Sequence, residues 1–267
     1  MIDTKGRPVL LTGASGNLGR HLAKALADRG WTLRLTDIKP FPDPLPPRAS
    51  FTPADLSDAA TVLRLAEGCG LILHFGGAST DEYSFEQILG ANLRGMFHIY
   101  EAARRERARV VFASSNHSIG YHERSERLDD DCAFRPDSYY GLSKAYGELM
   151  GRLYFDKHGV ETVAVRIGSC FPEPVDARML ATWLSYADLT RLMERCAAAE
   201  RVGACVIWGA SANARSFWGH DARDLLGWTP QDSADPFAGQ LAGKLSGNPV
   251  AERYQGGAYA ARDYSRT

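Results

Sequence analysis

The stretch Val9-Leu10-Leu11-Thr12-Gly13-Ala14-Ser15-Gly16-Asn17-Leu18-Gly19 decides how this chain folds. Its apolar start reads as a buried strand. Three glycines at a spacing of three then lead into Arg20-His21-Leu22-Ala23-Lys24-Ala25-Leu26, which patterns as a helix. Glycine permits a tight turn and lets a pyrophosphate approach the backbone and a helix N-terminus. Gly13, Ser15, Gly16, Asn17, Leu18 and Gly19 are therefore expected to hold the phosphates of a dinucleotide. The spacing departs from the G-x-G-x-x-G fingerprint, and a glycine-rich turn without a ligand is the alternative.

Outward from the turn, Trp31-Thr32-Leu33-Arg34-Leu35-Thr36-Asp37 reads as a second strand ending in an acid. A carboxylate roughly 20 residues beyond the glycines suits the ribose hydroxyls and repels a 2′-phosphate, so NAD is expected over NADP. Lys39 softens that argument without reversing it, and an ordinary loop aspartate is the alternative. A third strand-like stretch ends at Asp55-Leu56, where a carboxylate and an apolar side chain suit the edge and face of adenine. A fourth, Leu71-Ile72-Leu73-His74-Phe75, runs into Gly76-Gly77-Ala78, where a cofactor can pass close to the backbone.

Strand, turn and helix repeat from there. Helices are predicted at 17–29, 57–67, 85–106 and 139–158, and strands at 8–12, 31–36, 50–54, 71–75, 109–114 and 161–166. Short buried strands alternating with longer helices predict an α/β fold, a Rossmann-type doubly wound parallel sheet. Its site should open beyond the carboxyl ends of the strands. Residues 1–267 read as one domain. About 1–170 form the cofactor core and about 171–267 a small C-terminal, substrate-covering portion. Within the latter, 186–199 patterns as a helix and 205–208 as a strand.

Tyr140 and Lys144, in Ser138-Tyr139-Tyr140-Gly141-Leu142-Ser143-Lys144, share a face if the segment is helical. Bringing a phenol from pKa ~10 to ~7 requires about 4 kcal/mol. One charge at ~4 Å supplies about that much at an effective dielectric of ~20. Lys144 is thus expected to turn Tyr140 into a general base for an alcohol. The same spacing also arises by chance on amphipathic helices.

Together these motifs resemble the short-chain dehydrogenase/reductase superfamily in its extended form, through Thr12-Gly13-Ala14-x-Gly16-x-x-Gly19 and Tyr140-Gly141-x-Ser143-Lys144. The resemblance implies that Ser115, at the end of Val110-Val111-Phe112-Ala113-Ser114-Ser115, holds the substrate oxygen, with Ser114 as rival. It also matches Asn92 to a helix asparagine that maintains a water relay to the lysine; a polar residue in a core helix is the alternative. Cofactor contacts are implied for Phe75, Gly76, Gly77, Asn92, Tyr140, Lys144 and Ile167.

A narrower likeness rests on three segments, 112–121, 165–174 and 206–213, with Tyr154-Phe155-Asp156-Lys157 and Leu180-Ala181-Thr182-Trp183-Leu184. These are similar to the uronate dehydrogenase family, whose members oxidise the C1 hemiacetal of D-galacturonate or D-glucuronate to an aldarolactone with NAD. The resemblance implies a sugar pocket of Ser79, Ser115, Asn116, His117, Tyr140, Ser169 and Arg178. Phe171 stands where that family has a smaller polar residue, and a residue between Pro174 and Arg178 also departs from its pattern. Chemistry supports one position separately: a uronate carboxylate is best met by the planar fork of an arginine. Most lone arginines are solvated, however, and His117 reads equally as a structural histidine. A nucleotide-sugar epimerase or dehydratase that retains its NAD, and a non-catalytic NAD-binding regulator, are the rival readings.

Composition narrows the rest. A net charge of −1 gives no footprint for nucleic acid or an anionic membrane. No apolar run reaches the ~18 residues of a membrane span. Seven histidines and five cysteines show no metal-ligand spacing, so no metal is expected. The early first strand argues against a secretory signal, and unpaired thiols suit the cytoplasm. The expected partner is a small uronic acid, with a homo-oligomer implied by the superfamily. The run 122–131 is expected as a solvated loop over the entrance, 40–47 as a stiff proline-rich loop, and 254–267 as a tail that is mobile or packs on a neighbouring subunit.

Overall fold

A computed structural model describes residues 6–266. Its strands are β1 (Val9–Thr12), β2 (Leu33–Asp37), β3 (Ala49–Pro53), β4 (Leu71–His74), β5 (Arg109–Ser115), β6 (Thr162–Ile167), β7 (Ser169–Cys170), β8 (Trp183–Leu184) and β9 (Ala204–Gly209). All but β7 and β8, which pair with each other, join one parallel sheet in the order β3-β2-β1-β4-β5-β6-β9. Every residue of β1, β4 and β6 is buried, as in parallel strands covered on both faces. The order reverses between β1 and β4, and the crevice beyond their carboxyl ends is the expected ligand position for such a sheet.

The helices are α1 (Asn17–Ala27), α2 (Ala59–Ala66), α3 (Phe85–Ile88), α4 (Gly95–Glu106), α5 (Tyr139–His158), α6 (Met179–Thr182) and α7 (Tyr186–Ala198), with shorter ones beyond. Leu22 and Leu26 of α1 join Leu192 and Met193 of α7 in the apolar layer on one face. Ile99 and Tyr100 of α4 join Met150 and Tyr154 of α5 on the other. The predicted 85–106 helix forms in three parts, because Leu89–Arg94 winds as a π-helical turn between α3 and α4. The wider turn carries the buried Asn92.

Helix α5 has the predicted bounds. Its N-cap Ser138 accepts from the Gly141 N–H at 3.0 Å, and Gly159, at φ 69°, ends it in the left-handed conformation. Small residues let it lie close to its neighbours: a Cβ at Gly151 would stand 2.7 Å from the Tyr100 hydroxyl. That approach brings Lys144 beneath β5.

Two expectations are corrected here. Residues 122–131 are not a free solvated loop: Arg124 pairs with Glu252 at 2.6 Å and donates to the Ala251 carbonyl, and Leu128 bridges to Trp218. The C-terminal segment packs on its own chain. Gln255 is fully buried, with its amide nitrogen on the carbonyls of Glu123 and Glu126, and Arg262 pairs with Asp81 at 2.8 Å. Thr267, the last residue of the expected tail, lies outside the described residues. No helix among the described residues is long and apolar enough to cross a membrane.

Candidate active site

The glycine turn fits a dinucleotide. Gly13 has φ 70°, and a Cβ there would stand 2.6 Å from the Phe75 carbonyl carbon. A Cβ at Gly19 would overlap the Gly13 carbonyl, so the turn and α1 pack as bare backbone. Helix α1 begins at Gly16 with no side-chain cap and no acid in its first turn. Its first N–H groups are thereby left for an anion. At the end of β2, the Asp37 carboxylate faces this turn and accepts from the N–H of Ser15 at 3.1 Å and of Lys39 at 3.0 Å. Leu56 walls the crevice beside Gly76, where a Cβ would meet its Cδ1 at 2.8 Å. Asp55 is exposed and accepts from the Ser57 N–H at 2.8 Å.

Asn92 is anchored rather than open. Its amide nitrogen donates to the Ala78 carbonyl and the Ser143 hydroxyl, both at 2.9 Å, and its oxygen accepts from the Ala78 N–H at 2.7 Å. The π-helical turn so fastens the loop after β4 to α5.

Strand β5 ends at Ser115, whose hydroxyl accepts from the His117 N–H at 3.2 Å and lies within hydrogen-bonding reach of the Tyr140 phenol. The rival Ser114 is occupied, donating to Glu148 at 2.5 Å away from the cleft. Lys144 Nζ donates to the Ala113 carbonyl at 2.8 Å and lies 5.3 Å from the Tyr140 ring centroid. Burial lowers the Lys144 ammonium to about 8. Burial and the nearby Lys144 charge lower His74 beneath it to about 3, and its Nδ1 lies 2.8 Å from the Thr12 hydroxyl.

The Tyr140 phenol is raised above its ordinary value, which corrects the expectation that one lysine would bring it near neutrality. Burial is the largest cause; Tyr259 and Asp137 add to it, and the Ser115 hydrogen bond opposes it. Lys144 spends its nearest contact on a backbone carbonyl, and its charge does not offset the loss of water around the phenol.

At the other wall, Arg178 Nε donates to the Gln255 carbonyl at 2.7 Å and Nη1 to the Ser169 hydroxyl at 3.2 Å. With its amide oriented to satisfy both neighbours, Asn116 accepts from Arg178 Nη2 at 2.7 Å and donates to the Ile167 carbonyl at 3.2 Å. Among the described residues no carboxylate lies within ion-pairing distance of this guanidinium, and burial lowers it to about 10. Ser115, Asn116, His117, Tyr140, Lys144, Ser169 and Arg178 thus gather at one cleft. Ser79 is exposed on the loop after β4, next to the Ala78 that Asn92 holds, and Phe171 is exposed as well.

Three residues at the cleft escaped the sequence reading. Asp137 Oδ2 lies 2.7 Å from His117 Nδ1. Tyr259 stacks on His117 at 3.9 Å between centroids and meets the Tyr140 ring edge-on at 6.2 Å. Gln255 holds Arg178 through its carbonyl. Only the last two lie in the expected substrate-covering portion, and no motif marks them.

Comparison with known proteins accords with this arrangement. A model of the NAD dependent epimerase/dehydratase family matches residues 9–225. The uronate dehydrogenase of Pseudomonas putida is 46% identical over 265 residues, 97% of this chain and 98% of that one. The NAD-dependent glucose-6-phosphate dehydrogenase of Haloferax volcanii is 34% identical, covering 92% of this chain and 99% of its own. The crystal structure of a mutant uronate dehydrogenase from Agrobacterium tumefaciens complexed with NAD superposes with a TM-score of 0.91 at 43% identity, over 98% of this chain and 99% of that one. The chain belongs to the NAD dependent epimerase/dehydratase family and, within it, to the uronate dehydrogenases.

Proposed function

We propose that this NAD-dependent oxidoreductase oxidises the C1 hemiacetal of D-galacturonate or D-glucuronate to the aldarolactone, with Tyr140 as general base. The observation that carries the reading is Arg178: an enclosed guanidinium held by three neutral acceptors, with no ion-pairing carboxylate among the described residues. Enclosing a cation without a partner costs several kcal/mol. A uronate carboxylate is the partner that a bidentate guanidinium recognises best.

In this reading Ser115 and Tyr140 hold the C1 hydroxyl, and Tyr140 removes its proton. Asn116 and Ser169 orient Arg178 toward the carboxylate at the opposite end of the sugar. Asp37 would hold the adenosine ribose, the Gly13–Gly19 turn the pyrophosphate, and Lys144 the nicotinamide ribose. When bound, the oxidised nicotinamide supplies the hydride acceptor and a positive charge beside the phenol. The enzyme is proposed to work in the cytoplasm as a homo-oligomer, a reading its five unpaired cysteines support only for the compartment.

Tyr140→Phe tests the assignment. Turnover should fall by roughly 10²–10⁴, the usual worth of a general base, while NADH binding, followed by its fluorescence, stays near that of the parent. Retained turnover would reject the role.

A further inference from the structure

We propose that Asp137 is a positioning residue that fixes His117 with its ring proton on Nδ1, so that a bare Nε2 is presented to a hydroxyl of the bound sugar acid. This rests on the uronate reading above for the identity of that sugar.

The Asp137 side chain has no accessible surface and lies 2.7 Å from His117 Nδ1. Its other oxygen accepts from the Ser138 hydroxyl at 2.9 Å. No lysine or arginine among the described residues stands within ion-pairing distance of it. A carboxylate buried with so few partners is costly, and a fold keeps one only where its charge-assisted hydrogen bond serves something.

The surroundings are shaped for it. A Cβ at Gly120 or at Gly256 would overlap Asp137 Oδ2, and one at Gly141 would stand 3.1 Å from Oδ1. Glycines from two separate segments, the loop after β5 and the C-terminal segment, therefore make room for one carboxylate, while Gly141 at the start of α5 makes room first for the His117 carbonyl. The His117 ring is fixed in the remaining directions by Tyr259, stacked on its face, and by Tyr140 at 5.9 Å. Its Nε2 makes no hydrogen bond among the described residues.

A carboxylate on one ring nitrogen selects the tautomer and hence the role of the other. With the proton on Nδ1, Nε2 is an acceptor, complementary to the donor of a sugar hydroxyl. Without Asp137 the ring is free to carry its proton on Nε2, which repels that donor.

Two readouts test this. In the parent protein at neutral pH, the ¹⁵N resonances of the His117 ring should report a protonated Nδ1 and a bare Nε2. A proton on Nε2, or on both nitrogens, would overturn the proposal whatever the substrate is. In kinetics, Asp137→Asn should raise the KM for galacturonate about tenfold, the scale of one hydrogen bond, with kcat and the KM for NAD⁺ little changed. In a His117→Gln background the same substitution should do nothing further. An equal effect in both backgrounds would show that Asp137 acts without His117 and would also overturn the proposal. NADH binding checks folding; if Asp137→Asn fails to fold, Gly120→Ala, which crowds the carboxylate without replacing it, should reproduce the KM shift. An unchanged KM in that variant counts against the role. A parent enzyme inactive on every uronate would fault the functional reading alone, since the resonance pattern stands independently of it.

Discussion

Lys144 lies one helical turn from Tyr140 on α5, with its Nζ 5.3 Å from the phenol ring centroid and 2.8 Å from the carbonyl of Ala113. The ammonium is therefore beside the phenol but anchored to strand β5. In this setting burial acts on both groups, lowering Lys144 to about 8 and raising Tyr140 above its ordinary value. Burial thus shifts both groups toward their neutral forms, although Lys144 still carries its proton at pH 7.

The Lys144 shift has a consequence for stability. From 10.5 in a model peptide to about 8 in the fold, it corresponds to about 3 kcal/mol. Below pH 8 both folded and unfolded chains carry the proton, and the folded one bears the full penalty. Between pH 8 and 10.5 the unfolded chain still holds a proton that the folded one has released, so stability rises with pH. Lys144→Met should thus be more stable than its parent by about 2–3 kcal/mol at pH 7. The margin should shrink toward pH 10. Urea unfolding of both proteins at several pH values would measure it; a destabilised variant at pH 7 would refute the buried-cation picture.

In the proposed reading Arg178 sets the preference for an acid. Two charge-assisted hydrogen bonds are worth about 1.5–3 kcal/mol each. Arg178→Glu should therefore lower kcat/KM for glucuronate by roughly 10²–10⁴ while leaving glucose, which lacks the carboxylate, comparatively untouched. If the variant still prefers the acid, the carboxylate is held elsewhere.

A second buried pair serves the fold. Arg166 and Glu148 face each other at 2.9 Å with side chains 2% and 3% exposed, and the guanidinium lies over the rings of Trp208 and Phe134. Arg166→Met strands the carboxylate and should cost about 3–5 kcal/mol. Adding Glu148→Leu should recover at least half of that loss in thermal unfolding. No recovery would mean that packing on Trp208, rather than charge, dominates.

Much of this was legible in the sequence because the signals are local. The apolar run before Gly13 and the helical stretch 139–158 are set by neighbours a few residues away, and the structure adds the Ser138 cap and the Gly159 stop at the ends of the latter. The π-helical turn at 89–94 was not legible, since one extra residue per turn leaves no mark in an apolar pattern. Asp137, Gln255 and Tyr259 were hidden for another reason. The partners of Gln255 and Tyr259 lie far along the chain, as with Gln255 and Glu123 at a separation of 132 residues, and the 20 residues between Asp137 and His117 carry no motif, so only the folded chain places them at the cleft. The Tyr140 shift was misread because charge was weighed in the sequence while burial is a property of the fold.

The most direct test is to follow reduced-nicotinamide absorbance with NAD⁺ or NADP⁺ against galacturonate, glucuronate, glucose and a nucleotide sugar. NADH should form in step with either uronate consumed, with NAD⁺ preferred and little turnover of glucose. Turnover of the nucleotide sugar without net NADH, or no turnover of any uronate by protein that binds NADH tightly, would contradict it.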